Sequence, residues 1–352
     1  MKKIWIGVLS VVMIITGCVT ACGKAESSES KKTESSNDIS NVYVESEFAP
    51  LKRVVLTQSE IYMGKDEQAG NSKEENEEFQ KAWEAEREEL CKVLKKYGVE
   101  VQRPRKLTEH EKELGEAENG ITEGQGVTNF FVRDPFMTIG SNLIEGSFRS
   151  PYRRLEGLTV RDILTKESNA SGASYVAVPQ PDVSEKSGSD KGPFLEGGDV
   201  LVYGKTVFVG NSGLASNEAG IDWLRNYLKR DGYEVVEVKL DPEFLHLDCA
   251  LSLVREGLMI VCEDALTDGI PEQLKNWDKI TVSREDAQDL ATNGLPINEN
   301  VYVTDIAFKN SVGAELEKRG ITVEYIDFKI SRQFGGAFRC STQPLLRVSD
   351  SE

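Results

Sequence analysis

Between Glu74 and Tyr97 the apolar side chains Phe79, Trp83, Leu90, Val93, Leu94 and Tyr97 recur near helical spacing, and Gly98 stops the pattern. This predicts a long amphipathic helix. Before it, Leu51 to Thr57 is rich in Val and Leu and reads as a strand. After it, Val99 to Pro104 reads as a second, shorter strand. Lys106 to Gln125 is polar and punctuated by glycine, so helix fragments and loop are expected there.

Three later stretches share one design. Asp134 opens a strand that turns at Gly140 and returns from Asn142 to Glu145. Asp199 opens a strand that turns at Gly204 and returns from Lys205 to Gly210. Asp248 opens a strand that turns before Gly257 and returns through Leu258 to Cys262. A helix with Ile221, Leu224 and Leu228 on one face follows the second hairpin (215–229), then a strand near Glu234–Val238. Val301–Val303, a helix through Glu315–Lys318 and Ile321–Tyr325 look like a shortened copy. Repetition at roughly fifty residues suggests internal pseudo-symmetry, with a polar residue at the head of each hairpin. No linker interrupts residues 43–348, which are expected to form one domain, with 349–352 as a tail.

The first 42 residues differ in kind. Lys2 and Lys3 precede an apolar run from Ile4 to Ile15, too short for an ordinary membrane span. Ile15-Thr16-Gly17-Cys18 and Val19-Thr20-Ala21-Cys22 both resemble the lipobox of bacterial lipoproteins. Residues 1–21 are therefore expected to be a lipoprotein signal peptide, with Cys18 or Cys22 as the lipid attachment site. Residues 22–42 hold few apolar side chains, cannot offset their chain entropy by burial, and are expected to form a flexible tether. The expected location is extracytoplasmic, on the bacterial cell membrane through the lipid anchor.

Composition narrows the chemistry. The 352-residue chain carries a formal net charge of -17, which disfavours nucleic acid and anionic lipid and suits small cations. It has 2 histidines and 6 cysteines. His110 lies in a charged stretch and is expected to be a solvated surface residue, which leaves His246 as the imidazole available for chemistry. Cys91, Cys249 and Cys262 are expected to be mostly free thiols, Cys262 buried in the core. No Cys-x-x-Cys pair with histidine partners is present, so neither a metal nor another cofactor is expected.

A cysteine, a histidine and fixed carboxylates suffice to cleave a guanidinium. Carboxylates match its N–H fork, a thiolate attacks the central carbon, and an imidazole exchanges protons with the departing and incoming groups. Such residues stand at strand ends and turns: Asp134, then Glu196 and Asp199 around Gly197-Gly198, then His246 and Asp248, then Cys340 after Gly335-Gly336. In a strand, His246 and Asp248 would share a face. Singly these are ambiguous. Glu196-Gly197-Gly198-Asp199 could be a plain hairpin turn, His246 a satisfied core residue, and Cys340 a buried structural thiol.

Together, in this order, they resemble the guanidine-modifying superfamily that includes glycine amidinotransferase, arginine deiminase, agmatine deiminase and dimethylarginine dimethylaminohydrolase. The segments carrying the resemblance are Gly98–Pro104, Phe131–Pro135, Glu196–Asp199, Ala215–Asn217 to Trp223-Leu224, His246–Asp248 and Gly335 to Cys340. The resemblance implies the α/β-propeller, or pentein, fold of five pseudo-repeated ββαβ units around a central active site. It further implies Cys340 as nucleophile, His246 as general acid/base, Glu196 as catalytic carboxylate, and Asp134 and Asp248 as clamps on the guanidinium. Asp199 is expected to cap its turn.

Features point both ways on the reaction. The segment Glu145 to Arg154 is similar to amidinotransferases, whereas Glu196 and the Arg339-Cys340-Ser341 motif resemble hydrolases. The expected function is a deiminase or amidinohydrolase acting on arginine or a derivative. The alternatives are an amidinotransferase passing the group to an amine such as glycine, and a non-catalytic lipoprotein binding a guanidino compound. Arg149, Arg153, Arg154 and Arg339 are candidates for a substrate carboxylate, the first three also readable as a solvated cluster. Self-association into a homo-oligomer is left open.

Overall fold

The computed structural model describes residues 41–62, 72–115, 128–181 and 191–349. The expected signal peptide, the cysteines Cys18 and Cys22 and nearly all of the tether lie outside these residues, as do 116–125 of the expected polar loop. Among the described residues, no helix is long and apolar enough to cross a membrane.

The described strands make five small sheets, four of them built alike. In each of these four an antiparallel hairpin is followed, after a crossover, by a third strand parallel to the second. The hairpin Phe136–Ile139 and Asn142–Glu145 pairs onward with Ser174–Ala177. Val200–Tyr203 and Thr206–Asn211 pair with Glu234–Lys239. Leu251–Arg255 and Leu258–Val261 pair with Asp278–Thr281. Leu295–Asn298 and Val301–Asp305 pair with Thr322–Ile326. The remaining sheet follows the same scheme with strands from both ends of the sequence. Thr342–Arg347 runs antiparallel to Leu51–Leu56, which is parallel to Glu100–Gln102, and Tyr43–Val44 adds on the other side.

The expected shortened copy is thus a full unit. Its first strand was hidden by Pro296, which breaks the strand pattern; Leu295–Asn298 lies at the sheet edge, where proline's missing N–H is tolerated. Middle strands such as Leu258–Val261 are buried at every position, as expected of a strand covered on both faces.

The long helix spans Lys73–Lys96. Ser72 Oγ accepts from Glu75 N–H (3.1 Å) and Glu75 Oε2 accepts from Ser72 N–H (2.7 Å), a reciprocal cap that satisfies two otherwise orphaned donors. Its buried face includes Trp83, Leu90, Val93 and Leu94, together with the charged pair Glu86 and Arg87. The latter face the short helix Lys329–Gln333: Glu86 accepts from the N–H groups of Ile330 (2.6 Å) and Ser331 (3.0 Å). This fixes the segment that leads to Cys340. Cys262 is buried in the core, and Cys91, Cys249, Cys262 and Cys340 are all free. His110 is solvated, its side chain 78% exposed.

Candidate active site

Each hairpin presents polar residues just ahead of its first strand, and these heads converge. Asp134 precedes Phe136, Glu196 and Asp199 precede Val200, His246 and Asp248 precede Leu251, and Cys340 precedes Thr342. Asp134, Glu196, His246 and Cys340 line one cavity of ≈ 330 Å³, with apolar walls from Phe130, Phe131 and Phe334. Leu245, 42% exposed, also lines it.

His246 is the hinge of the cluster. Its Nε2 lies 2.9 Å from Glu196 Oε2, and its Nδ1 lies 3.8 Å from Asp134 Oδ1. Burial alone would depress its pKa, but Asp134, Glu196 and Asp199 together raise it from 6.5 to about 10. The ring is therefore an imidazolium at neutral pH. Asp134 responds in kind: burial would raise its pKa, and the charges of His246 and Arg153 bring it below the usual carboxylate value. Burial pushes the Cys340 thiol up, as do the charges of Asp248 and Asp134. Cys340 Sγ lies 3.6 Å from Asp248 Oδ2.

Gly197-Gly198 earns its place by closeness. A Cβ on Gly198 would sit 2.6 Å from His246 Nδ1 and 2.7 Å from Asp134 Oδ1, and one on Gly197 would sit 2.0 Å from the Arg133 carbonyl. Only a bare backbone lets Gly198 N–H donate to Asp134 Oδ1 (2.9 Å) beside the imidazole. Asp199 reaches beyond its own turn and ties two other segments to it, accepting from the N–H groups of Ser216 (3.2 Å) and Leu247 (3.0 Å). Burial raises its pKa to about 7, His246 partly opposing.

Several expectations need correction. His246 and Asp248 do not share a strand face, because Leu247–Cys249 forms a 3-10 turn pinned by that Asp199 bond. His246 meets Glu196, while Asp248 is fully buried and takes Arg339 Nη1 at 2.9 Å. Arg339 is not available to a substrate carboxylate: Nε and Nη2 fork onto Glu47 (3.0 and 3.1 Å), and Nη2 also reaches the Val200 carbonyl (2.6 Å). Arg149 is not among the cavity-lining side chains. Its guanidinium donates to the Gly213 carbonyl, and only its backbone N–H approaches Glu196, at 3.3 Å. Arg154 donates to the Phe148 and Arg149 carbonyls (3.4 and 3.2 Å).

Arg153 does line the cavity, but it is held by carboxylates. It binds Glu156 through Nε and Nη2 (both 2.9 Å), Asp134 through Nη2 (2.8 Å) and Glu196 through Nη1 (3.2 Å). An internal guanidinium thus bridges Asp134, expected as a clamp on the substrate, and Glu196, expected as the catalytic carboxylate, while Asp248, the other expected clamp, is taken by Arg339. Two further residues were missed. Glu156 is buried and orients Arg153 while accepting from the Thr128 hydroxyl. Asn293, ahead of Leu295, accepts through Oδ1 from Cys340 N–H and Ala337 N–H (both 3.1 Å) and so shapes the cysteine loop. Recognising Leu295–Asn298 as a hairpin strand would have flagged Asn293 as its head. Among the described residues, no group of three or more His, Cys, Asp or Glu side chains is arranged to hold a metal ion.

Comparison with known proteins agrees with this geometry. The sequence model of the family described as N,N dimethylarginine dimethylhydrolase, eukaryotic, matches residues 59–347. The uncharacterised protein YkgA of Bacillus subtilis is 29% identical over 218 residues, 62% of this chain and 69% of that protein. Inosamine-phosphate amidinotransferase 1 of Streptomyces griseus is 26% identical over 252 residues, 64% of this chain and 71% of its own. Among solved structures, the amidinotransferase SxtG of Microseira wollei superposes with a TM-score of 0.72 at 21% identity, covering 87% of this chain and 97% of that one. A dimethylarginine dimethylaminohydrolase adduct superposes at 0.58 and 15% identity, covering 84% and 99%. The match from residue 59 to residue 347 spans every hairpin head in the site, and the chain belongs to the family of the N,N dimethylarginine dimethylhydrolases, within the guanidine-modifying pentein superfamily.

Proposed function

We propose that this enzyme hydrolyses the guanidino group of arginine or an arginine derivative through a covalent Cys340 intermediate. The observation that carries the reading is the meeting of Cys340, His246, Asp134 and Glu196 in one cavity. The Cys340 thiol passes its proton to Asp248 Oδ2, 3.6 Å away, and the thiolate attacks the guanidinium carbon and forms a C–S bond. The His246 imidazolium, held between Glu196 and Asp134, gives its proton to the departing amine as the C–N bond breaks. The neutral imidazole then takes a proton from water, which attacks the amidino carbon. The C–S bond breaks, leaving a ureido product and restoring the thiol. Asp134 and Glu196 orient the planar cation, sharing their oxygens with Arg153.

A second reading, transfer of the amidino group to an amine such as glycine, is favoured by the similarity to inosamine-phosphate amidinotransferase 1. Incubating the protein with arginine, methylarginines and agmatine, with and without glycine, separates them. Citrulline with ammonia or a methylamine is the expected result; guanidinoacetate only in the presence of glycine would establish the transferase. Silence on every substrate would favour a non-catalytic binding protein.

Residues 43–348 form, in this reading, one catalytic domain whose five sheets stand as propeller blades around the cavity; the hairpin heads ahead of Phe136, Val200, Leu251 and Thr342 support it. The domain works outside the cytoplasm on a lipid anchor, supported by the two lipobox-like sequences ending at Cys18 and Cys22. An alkyne fatty acid fed to expressing cells should label the protein, and the label should vanish in the double variant C18A/C22A. Retained labelling would sink the anchor.

A further inference from the structure

Glu47 lies ahead of residue 59, where the family match begins, yet it reaches the neighbourhood of Cys340. It is 7% exposed, and both of its oxygens are engaged. Oε1 accepts from Val202 N–H (3.1 Å) and Arg339 Nη2 (3.1 Å), and Oε2 accepts from Arg339 Nε (3.0 Å). The remaining nitrogen of that guanidinium, Nη1, donates to Asp248 Oδ2 (2.9 Å), and the same oxygen faces Cys340 Sγ at 3.6 Å. Carboxylate, guanidinium, carboxylate and thiol stand in one buried row. Arg339 is adjacent to the thiol in sequence, while Glu47 lies 292 residues before Arg339.

We propose that Glu47 is a positioning residue of the active site: by gripping one edge of Arg339 it aims the other at Asp248 and fixes that carboxylate against the Cys340 thiol. Its significance for turnover rests on Cys340 being the nucleophile, but the test reads the thiol itself. A planar guanidinium with one edge fixed by a fork has no rotational freedom left, so Nη1 can only point where Glu47 sends it.

The row also has an electrostatic consequence. Two carboxylates and one guanidinium leave one net negative charge beside the thiol, which opposes its ionisation. The other charged or titratable groups that bear on the thiol or on the row are Asp134, His246, Arg87, Arg133, Arg347 and Cys249. Burial would raise the pKa of Glu47, but Arg339, Arg133 and Arg347 bring it down to about 2, so its charge is present at any working pH. Glu47→Gln keeps an oxygen for Val202 and Arg339 while removing that charge. At a separation of ~10 Å and an effective dielectric constant of ~20, losing it should lower the thiol's ionisation midpoint by roughly one pH unit.

The experiment is the pH dependence of iodoacetamide alkylation, read by mass spectrometry on the Cys340 peptide of the full chain, with the Cys91 peptide as internal control. In E47Q the midpoint should fall by about one unit, and alkylation below it should quicken about tenfold. E47D keeps the charge but is one methylene short of spanning the Arg339 fork, so it should loosen the aim of Nη1 at Asp248 and move the midpoint by at least about 0.3 unit. A midpoint unchanged or raised in E47Q overturns the proposal. So does an unmoved midpoint in E47D, which would show that charge alone acts and which remains readable if E47Q does not fold. A purely structural Glu47 would lower the melting temperature of E47D without moving its midpoint. None of these outcomes depends on which guanidino compound is turned over.

Discussion

Replacing Cys340 by alanine should lower turnover of any guanidino substrate by at least ~10⁴-fold, because it is the one thiol among the described residues that line the cavity. The charged residues that share the cavity, Asp134, Glu196, Glu156, His246 and Arg153, are acids already ion-paired or cations. The fold should survive, since the loop is held by backbone bonds that ignore the side chain: Asn293 Oδ1 takes Cys340 N–H, and Arg133 N–H donates to the Cys340 carbonyl at 3.1 Å. The same residue should carry the label when the parent protein is treated with a haloacetamidine, an electrophile shaped like the substrate. Labelling confined to Cys91 or Cys249, or a Cys340→Ala protein that still turns over, would remove the thiol from the mechanism.

His246→Gln should cost on the order of 10²–10⁴-fold in kcat, the usual contribution of a positioned acid/base. It should also leave a mark on stability. Folding raises the imidazole pKa from 6.5 to about 10, so the charged ring's contribution is whole below pH 6.5 and is lost as the pH climbs through 10. Melting temperatures of the parent should therefore decline between pH 7 and pH 10, and the Gln variant, with nothing to titrate there, should decline less. Parallel melting curves against pH in the two proteins would show that the ring does not sit as an imidazolium between Asp134 and Glu196. An unchanged kcat in a folded variant would separately remove it from proton transfer.

Much of this was legible in the sequence where local rules govern. The helix at Lys73–Lys96 announces itself by period and cap, and the hairpins headed by Asp134, Asp199 and Asp248 by alternation and turn residues. Where one residue breaks a local rule, the reading fails: Pro296 hid the fourth such hairpin and with it Asn293. The 3-10 turn at Leu247–Cys249 was read as a strand because its cause, the Asp199 carboxylate, lies 48 residues earlier. The arginines were misjudged for a related reason. Arg153 and Arg339 look like free cations in sequence, but Glu156, Glu196 and Glu47 neutralise them only after folding. A basic cluster shows charge, and the partners that consume it are a property of three dimensions.

The strand Thr342–Arg347 lies between Tyr43–Val44 and Leu51–Leu56, so the earliest and latest described strands share one sheet. On the ribosome, then, the edge of Leu51–Leu56 must wait for residues 342–347 to emerge before it finds its mate. Cys340 sits two residues before that late-arriving strand, and its loop is set only when the strand docks. Whatever sequence of events builds the rest, the Cys340 loop takes its shape only with this strand, and a nascent chain still short of residue 347 holds the sulfur without its setting.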